Sequence, residues 1–222
     1  MKNKKKIICI VQARLNSTRL KNKVIHKFKN KTMIEILLER LKSSKLINDI
    51  IVAIPRSDKK LESLLKNKYK VYMGNNQNVL ERYYFSAQKF KADIIVRITG
   101  DCPLVDSQMI DIGLKKYLNS NFDYISNINP PTFPDGLDYE IFDFKTLKKT
   151  YLNAKSKNDK EHVTKYIIKN SEFKKFNIES ETDYSDLRLT LDYKEDLILI
   201  KYILNKFDYH KQFRYRDIIK LY

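Results

Sequence analysis

The segment near the amino terminus from which the fold class can be inferred reads Ile7-Ile8-Cys9-Ile10-Val11-Gln12-Ala13-Arg14-Leu15-Asn16-Ser17-Thr18-Arg19-Leu20-Lys21-Asn22-Lys23. Its first five residues have the length and the β-branched content of a fully buried strand. The polar and basic residues that follow are therefore predicted to form the loop at the carboxyl end of that strand, where ligands bind in open α/β sheets. The arginines, lysines and hydroxyls of this loop can bind a polyphosphate through charge-assisted hydrogen bonds. The alternative is a solvated basic loop.

The composition is that of a globular chain. Its 222 residues are 42% hydrophobic and 32% charged, and they can form a single domain spanning 1–222. No apolar run approaches the roughly 18 residues that a membrane helix needs, and the apolar run after the basic start is shorter than a signal peptide requires. We therefore expect a cytoplasmic protein without a membrane partner.

The formal net charge of +17 raises the alternative of a nucleic-acid-binding protein. Of the 44 basic residues, 35 are lysines that are scattered along the chain and only 9 are arginines. A nucleic-acid-binding face would tend to cluster arginine with aromatic residues, so we expect no nucleic-acid partner. The two cysteines, Cys9 and Cys102, show neither a disulfide framework nor the spacing of metal ligands.

Buried-type strands alternate with helices along the first hundred residues. Further strands are predicted at 50–54, 70–73 and 93–99, and helices at 33–42 and 79–90 and up to residue 65. The helix starts are marked by the capping box of Thr32 and Glu35, by Ser57 with Asp58, and by Asn78. Alternation at this short spacing predicts parallel βαβ units, and hence a three-layer α/β fold with a mostly parallel central sheet.

The strand predicted at 93–99 ends in Gly100-Asp101-Cys102-Pro103. A carboxylate just past a buried strand suits a hard cation, and Mg²⁺ is usually held by one or two carboxylates together with substrate phosphates. The alternative role for Asp101 is an Asx turn before Pro103. Arg97 favours the cation site, because an arginine in an apolar strand is costly to bury unpaired. We therefore expect Arg97 to meet an anion at the site.

Two segments in the second half of the chain carry further candidates. Residues 137–142 alternate like a half-buried strand, which puts Asp138 and Glu140 on one face, and a solvated edge strand is the alternative. The polar run 155–160 leads to Glu161-His162-Val163-Thr164, which is predicted to open another helix.

Residues 187–191 alternate strictly and are predicted to form a strand, which Asp192 follows. With Glu195 three residues further on, Asp192 can cap a helix predicted at 193–207. It can also face a metal as a second carboxylate at a strand end. Both roles stay open, because a capping carboxylate can still offer an oxygen to a cation.

The pattern Gln-Ala-Arg-x-x-Ser-x-Arg-Leu-x-x-Lys at 12–23 resembles the amino-terminal signature of the nucleotide-sugar cytidylyltransferases, the family of CMP-Kdo and CMP-sialic acid synthetases. The resemblance is closest to the branch of spore coat polysaccharide biosynthesis protein F. Similar motifs follow in the same order: Gly-x-x-x-x-Val-Leu-Glu-Arg-Tyr (74–83), Arg-x-x-Gly-Asp-x-Pro (97–103), Phe-Pro-Asp-Gly-x-Asp-x-Glu (133–140), Glu-His-Val-Thr (161–164) and Leu-Thr-Leu-Asp-Tyr-x-x-Asp-Leu (189–197). The chain departs from the family at Lys21-Asn22, where Pro-Gly is usual, and at Lys160, where the branch has arginine.

The resemblance implies a Rossmann-like nucleotidyltransferase that transfers CMP from CTP to an acidic sugar or related acceptor and releases pyrophosphate. It implies catalytic roles for Arg14, Lys23, Asp101 and Asp192, with Mg²⁺ held by the two aspartates. The implied nucleotide-binding residues are Gln12, Ala13, Arg14, Ser17, Arg19, Lys23, Arg82 and Arg97. The implied acceptor-binding residues are Asp138, Glu140, Glu161 and His162. A homodimer is also implied, and a glycosyltransferase of the nucleotide-sugar-binding fold remains the alternative enzyme.

Overall fold

The computed structural model describes residues 5–207 and 213–222. The strands are β1 (Ile7–Gln12), β2 (Lys27–Phe28), β3 (Lys31–Thr32), β4 (Asp49–Pro55), β5 (Lys70–Gly74), β6 (Ile94–Thr99), β7 (Tyr124–Ser126), β8 (Glu140–Asp143) and β9 (Lys175–Asn177). The helices are α1 (Met33–Leu41), α2 (Lys59–Leu65), α3 (Val79–Phe90), α4 (Ser107–Leu118), α5 (Phe144–Asn153), α6 (Lys157–His162), α7 (Lys165–Lys169), α8 (Lys194–Lys206) and α9 (Tyr215–Ile219). No helix in the two described ranges is long and apolar enough to cross a membrane.

The central sheet has seven strands in the order β5-β4-β1-β6-β8-β7-β9. Strands β4 and β6 run parallel to β1, and β5 runs parallel to β4. Strand β8 pairs antiparallel with both β6 and β7, and β9 runs parallel to β7. The predicted mostly parallel sheet is therefore confirmed, and the carboxyl ends of β1 and β6 meet at one edge of it.

Strand β1 shows how the three layers form. Its alternate side chains enter two separate apolar clusters, with Ile7, Cys9 and Val11 in one and Ile8 and Ile10 in the other. The first cluster is covered by α1, α2, α4 and α8, and the second by α3, α5 and α7. Because helices cover both faces, the strand is apolar at successive positions, as parallel strands usually are.

Two of the predicted helix caps, Thr32 and Asn78, are confirmed. The Glu35 backbone N–H donates to the Thr32 hydroxyl at 3.4 Å, and the Thr32 N–H donates to the Glu35 carboxylate at 2.9 Å, which completes the capping box of α1. The Asn78 side-chain oxygen accepts a backbone N–H from the first turn of α3. The cap predicted from Asp58 is wrong, because its side chain makes no hydrogen bond to the first turn of α2.

The strand predicted at 187–191 is also wrong. This segment makes a single parallel bridge, between Arg188 and Asp135, and no strand ladder. Its alternation still has a physical basis, because Leu189 and Leu191 are buried in the core. The segment leaves the bridge after one residue pair and turns towards the end of β6, so it cannot extend a ladder.

Two further boundaries differ from the prediction. Residues 137–142 form a strand only from Glu140, and this strand lies between β6 and β7 inside the sheet, so the edge-strand alternative is wrong. The polar run before Glu161 is helical as α6, because the Ser156 hydroxyl accepts the Asp159 backbone N–H at 3.0 Å and caps it. Glu161 and His162 therefore end a helix instead of opening one.

Candidate active site

A pocket opens at the carboxyl ends of β1 and β6, where the sequence predicts a ligand site. Its lining is Gln12, Ala13, Arg14, Ser17, Thr18, Arg19, Lys23, Val24, Val79, Arg82, Thr99, Gly100, Asp101, Glu161, His162 and Asp192. Most of the predicted site residues are thus brought together. The predicted residues that do not line this pocket are Arg97, Asp138 and Glu140.

The loop after β1 and the turn after β6 touch through their backbones. Gln12 pairs with Thr99 in the parallel register, and the Gly100 N–H donates to the Gln12 carbonyl at 2.8 Å. A Cβ at position 100 would lie 2.9 Å from that carbonyl oxygen and 3.0 Å from the Cβ of Ala13. Any side chain at Gly100 would therefore push the two segments apart, and glycine lets Asp101 lie beside the basic loop.

Asp192 reaches the same place from the other side of the pocket. The Leu191 N–H donates to the Asp101 carbonyl at 2.8 Å, and the Thr190 hydroxyl lies 3.5 Å from the same oxygen. These backbone contacts set two carboxylates side by side although they are distant in sequence. They also explain why residues 187–191, which form no strand ladder, still place Asp192 at the end of β6.

The Lys23 ammonium lies between these two carboxylates. Its Nζ is 2.5 Å from Oδ2 of Asp101 and 2.8 Å from Oδ1 of Asp192, and an Arg19 guanidinium nitrogen is 2.8 Å from the other Asp192 oxygen. Burial, the largest single influence, acts against charge on Lys23 and Asp101. The attraction and hydrogen bonds between them outweigh it, so the pKa of Lys23 is raised and that of Asp101 is lowered. Both groups therefore stay ionised at neutral pH.

The start of α8 is capped by Asp196 and not by Asp192. The Asp196 carboxylate accepts the backbone N–H groups of Asp192 and Tyr193, both at 2.8 Å. These bonds satisfy donors that the first turn of a helix leaves open. The capping role predicted for Asp192 is therefore wrong, and its carboxylate faces Lys23 and Arg19 instead.

Asn22 forms the turn that brings Lys23 to the carboxylates. Its φ of 57° and ψ of 27° lie in the left-handed region. Glycine adopts this conformation freely, and asparagine tolerates it better than most other residues. The Asn22 N–H donates to the Leu15 carbonyl at 3.2 Å, which closes the loop. Asparagine thus meets the conformational requirement at a position where the resembling family usually has glycine.

Asp58 fixes the middle of the loop, a role that the sequence did not reveal. Its Oδ2 accepts the backbone N–H of Leu15 at 2.8 Å. The Ser17 hydroxyl donates to the Leu20 carbonyl within the loop. An aspartate just before a helix is typical of a cap, and only the folded loop, which passes this carboxylate, supplies the competing donor.

Two arginines line the pocket without a carboxylate partner. Arg82 is 3% exposed, its Nη1 donates to the Asn75 carbonyl at 3.1 Å, and its Nε has no partner within the described ranges. Burial above all, and also the nearby Arg14, lowers the pKa of Arg82. Arg14 forms no ion pair with any residue of the same ranges. This part of the pocket is therefore complementary to an anion.

Arg97 meets its anion inside the protein. It donates to Glu140, the residue opposite it on β8, and the Tyr124 hydroxyl donates to the other Glu140 oxygen at 2.6 Å. Glu140 is 1% exposed. The expectation that Arg97 meets an anion at the ligand site is therefore corrected. The sequence could not show that β8 inserts beside β6 and places a carboxylate directly opposite this arginine.

Asp138 is a half-buried acid whose side chain forms no hydrogen bond or ion pair with the described part of the chain. Burial raises its pKa to about 7, and the negative charges of Asp135, Glu140 and Asp101 act in the same direction. A carboxyl group of this kind can gain or lose a proton near neutral pH.

Glu161 and His162, at the end of α6, also line the pocket, and both side chains are exposed. Five lining residues were not among the predicted site residues: Thr18, Val24, Val79, Thr99 and Gly100. Thr99 could have been found, because it ends the strand that precedes Gly100. The two valines carry no signal that separates them from ordinary core residues.

Asp101 and Asp192 are the residues of this pocket that could hold a divalent cation. Across residues 5–207 and 213–222, no three His, Cys, Asp or Glu side chains come together as a metal site. Two carboxylates that contact one ammonium are nevertheless close enough to share a cation. Mg²⁺ is commonly held by such a pair together with substrate phosphates, so these residues fit the ion.

Comparisons with known proteins agree with this arrangement. The family model described as cytidylyltransferase matches residues 8–218. The spore coat polysaccharide biosynthesis protein SpsF of Bacillus subtilis (strain 168) is 29% identical to this chain over 213 residues, which are 90% of this chain and 87% of that protein.

Two solved structures are similar over nearly the whole chain. A cytidylyltransferase from Leptospira borgpetersenii serovar Hardjo-bovis (strain JB197) matches with a TM-score of 0.90 and 34% identity, over 98% of this chain and 94% of that one. A CMP:2-keto-3-deoxy-manno-octonic acid synthetase complexed with CTP matches with a TM-score of 0.70 and 15% identity, over 90% and 99% of the two chains, and supports the fold alone. Because the family model spans almost all of its residues, the chain belongs to the cytidylyltransferase family.

Proposed function

We propose that the protein transfers CMP from CTP to an acidic sugar or related acceptor in the biosynthesis of a surface polysaccharide or another glycan. The observation that carries this proposal is that the basic loop 12–23 lines the same pocket as Asp101 and Asp192. The family supports the cytidylyl transfer, and the similarity to SpsF supports a role in polysaccharide synthesis.

The reaction is an in-line displacement at the α-phosphorus of CTP. An acceptor oxygen forms a bond to this phosphorus, the bond from the phosphorus to the bridging oxygen breaks, and pyrophosphate leaves with the bond electrons. Such a reaction needs no nucleophile from the protein, so catalysis rests on positioning and on stabilising charge.

The cations of the pocket suit the triphosphate and the leaving pyrophosphate. Arg14 and Arg82 have no carboxylate partner that would compete with a phosphate in the described ranges. Lys23 and Arg19 lie on the same loop as Arg14, line the same pocket, and are held there by Asp101 and Asp192. Negative charge grows on the leaving group, so a fixed cation there stabilises the transition state more than the ground state.

Asp101 and Asp192 would hold Mg²⁺, which when bound neutralises phosphate charge and so lowers the barrier to attack. The ammonium of Lys23 balances the same carboxylates in the structure. The acceptor would bind near Asp138, because this acid is unpaired and close enough to Asp101 to feel its charge. A carboxylate with a pKa of about 7 suits the removal of a proton from an attacking hydroxyl.

The experiment that tests this function is a pyrophosphate-release assay with CTP, UTP, ATP and GTP against a panel of acidic sugars. We expect CTP to be preferred, and we expect turnover to need a divalent cation. Equal pyrophosphate release with ATP or GTP would rule out the cytidylyl assignment.

A matched pair of loop variants sharpens the assay. Arg14→Ala should lower turnover by about 10²-fold or more, the scale of losing one preorganised charge at a developing anion. Lys21 is an exposed lysine of the same loop, but it does not line the pocket. Lys21→Ala should therefore leave turnover nearly unchanged. Similar losses from both variants, each relieved at low salt, would mean that the loop acts only through diffuse charge.

A further inference from the structure

Val163 has a backbone conformation that β-branched residues almost never adopt. Its φ is 55° and its ψ is −61°. The Thr164 backbone N–H donates to the His162 carbonyl at 2.6 Å, which closes a three-residue γ-turn around Val163. In this form of the turn the central residue has positive φ and is strained, and a branched Cβ makes the strain worse. Strain of this kind persists only where the surrounding structure enforces it.

Two attachments enforce the turn. The Val163 side chain is fully buried in the apolar cluster beneath α3, together with Val79 and Tyr83. On the other side, the Thr164 carbonyl accepts the Ile168 N–H at 3.0 Å and so begins the hydrogen bonding of α7. The buried valine side chain thus anchors the turn in the core while the backbone reverses direction at this residue.

The turn decides where the end of α6 lies. Helix α6 packs against α3, and the first turn of α3 supplies Val79 and Arg82 to the pocket. Glu161 and His162 therefore stand on the Arg82 side of the pocket. The His162 ring is exposed and makes no hydrogen bond to any described residue, so it is free to bind a ligand.

We propose that Val163 is a positioning residue, and that the strained turn around it holds His162 against the bound nucleotide. This inference rests on the proposed function only in taking CTP as the nucleotide, and it assigns His162 to the nucleotide instead of to the acceptor that the resemblance implies. Relaxing Val163 to an ordinary conformation would swing the preceding two residues away from Arg82. The buried side chain and the γ-turn hydrogen bond together prevent this.

The strain is tested by comparing Val163→Gly with Val163→Ala. Both variants remove the buried side chain of Val163, but only glycine also removes the energetic penalty of positive φ. We therefore expect Val163→Gly to have a Tm higher than Val163→Ala by about 2–4 °C, which reverses the usual order of the two residues. Ile167 is buried in the same cluster on α7, and its Gly variant should be less stable than its Ala variant, as in ordinary helices.

The positioning is tested by the affinity for CTP with Mg²⁺, measured by titration calorimetry. Val163→Ala should weaken binding about tenfold, the scale of one lost hydrogen bond, and Val163→Gly should weaken it less. His162→Ala should weaken it by a similar factor, and adding Val163→Ala to it should cause little further loss. Ile167→Ala should leave the affinity unchanged.

A spectroscopic signature separates positioning from simple packing. The chain has only three histidines, so the imidazole signals can be followed by NMR. CTP with Mg²⁺ should shift the His162 signals in the wild type, because the ring would lie against the bound nucleotide. The shift should shrink in Val163→Ala, while the signals of His26, which does not line the pocket, should not respond.

The results that overturn the inference differ from those that overturn the function. Val163→Ala more stable than Val163→Gly would show that the turn is unstrained. An unchanged affinity in Val163→Ala, or an equal loss in Ile167→Ala, would show that Val163 only packs. A wild type that binds ATP as tightly as CTP would instead remove the proposed nucleotide, while the order of the two Val163 variants in Tm would still test the turn.

Discussion

Two clusters of buried charge lie along β6 and differ in what they leave open. The closed cluster joins Arg97 to Glu140 inside the sheet, and its acid is also bonded by a tyrosine hydroxyl and is 1% exposed. The open cluster joins Lys23 to Asp101 and Asp192 at the strand end, and the Asp101 side chain is 25% exposed. The closed cluster pairs one cation with one carboxylate, and the open cluster pairs Lys23 and also Arg19 with two carboxylates, yet only the open cluster lines the pocket.

The difference lies in the number of groups that remain available to a ligand. In the closed cluster, both oxygens of the single acid have partners, and the strands on either side exclude solvent. In the open cluster, two acids share the Lys23 ammonium and Arg19 contacts the second oxygen of Asp192, while the cations Arg14 and Arg82 stand nearby without acids of their own. A buried charge therefore marks a ligand site only when its neighbours do not neutralise it completely.

The contrast predicts its largest effect in the closed cluster. Glu140→Leu should destabilise the protein by about 3–5 kcal/mol, because it leaves the Arg97 charge buried and unpaired. The double variant Arg97→Met with Glu140→Leu removes both charges and should recover most of that loss. Urea unfolding measures both values. A double variant as unstable as the single one would mean that the pair is not the reason for the loss.

In the open cluster the acids should matter for turnover more than for folding. Asp101→Asn and Asp192→Asn should each lower turnover by about 10²- to 10³-fold, because each removes charge where phosphate charge must be balanced. Steady-state kinetics and thermal unfolding of the same samples separate the two effects. Asp143→Asn, which alters a helix cap of α5 that does not line the pocket, is the matched control and should keep its turnover. A normally folded, active Asp192→Asn enzyme would sink the metal role of Asp192.

Charges of both clusters influence the pKa of Asp138, and this residue makes the stability of the protein depend on pH. Its pKa is about 7 in the folded protein, whereas the pKa of an unfolded aspartate is ~3.9. Between these values the folded state binds more protons, so this group lowers stability as pH rises through that window.

We therefore expect Asp138→Asn to be more stable than the wild type at pH 8 and nearly equal to it at about pH 4. At pH 8 the free energy of unfolding of Asp138→Asn should exceed that of the wild type by about 2 kcal/mol. This value is lower than the full pKa shift would give, because the side chain is partly exposed. Urea unfolding at the two pH values measures it. A difference that does not change with pH would contradict the raised pKa.

The smallest effect concerns the turn that delivers Lys23 to the open cluster. Asn22→Ala should cost about 1 kcal/mol, because alanine disfavours the left-handed conformation more than asparagine does. Asn22→Gly should be neutral or slightly stabilising, and it should keep turnover. Thermal unfolding and kinetics of the two variants measure this, and equal behaviour of alanine and glycine would show that the conformation at position 22 does not matter.

The secondary-structure elements and most of the pocket could be predicted from the amino-acid sequence alone. Local signals were sufficient for the apolar run of β1, the capping box of Thr32 and the glycine before Asp101, because periodicity, caps and turn residues act within a few positions of the chain. The motif order then identified which strand ends carry charge. That is why the loop residues and both aspartates of the pocket could be named before the fold was known.

The pairing of the charges, in contrast, depends on contacts that form only in the folded protein. Whether Arg97 meets a ligand or Glu140 depends on β8 inserting beside β6. Asp58 and Asp192 both read as helix caps, and each instead serves a group that is distant in sequence. The strained turn at Val163 has no sequence signal, because it is enforced by packing beneath α3. A side chain's partner is fixed by which segments fold against each other, and long-range contacts of this kind leave no periodic trace in the chain.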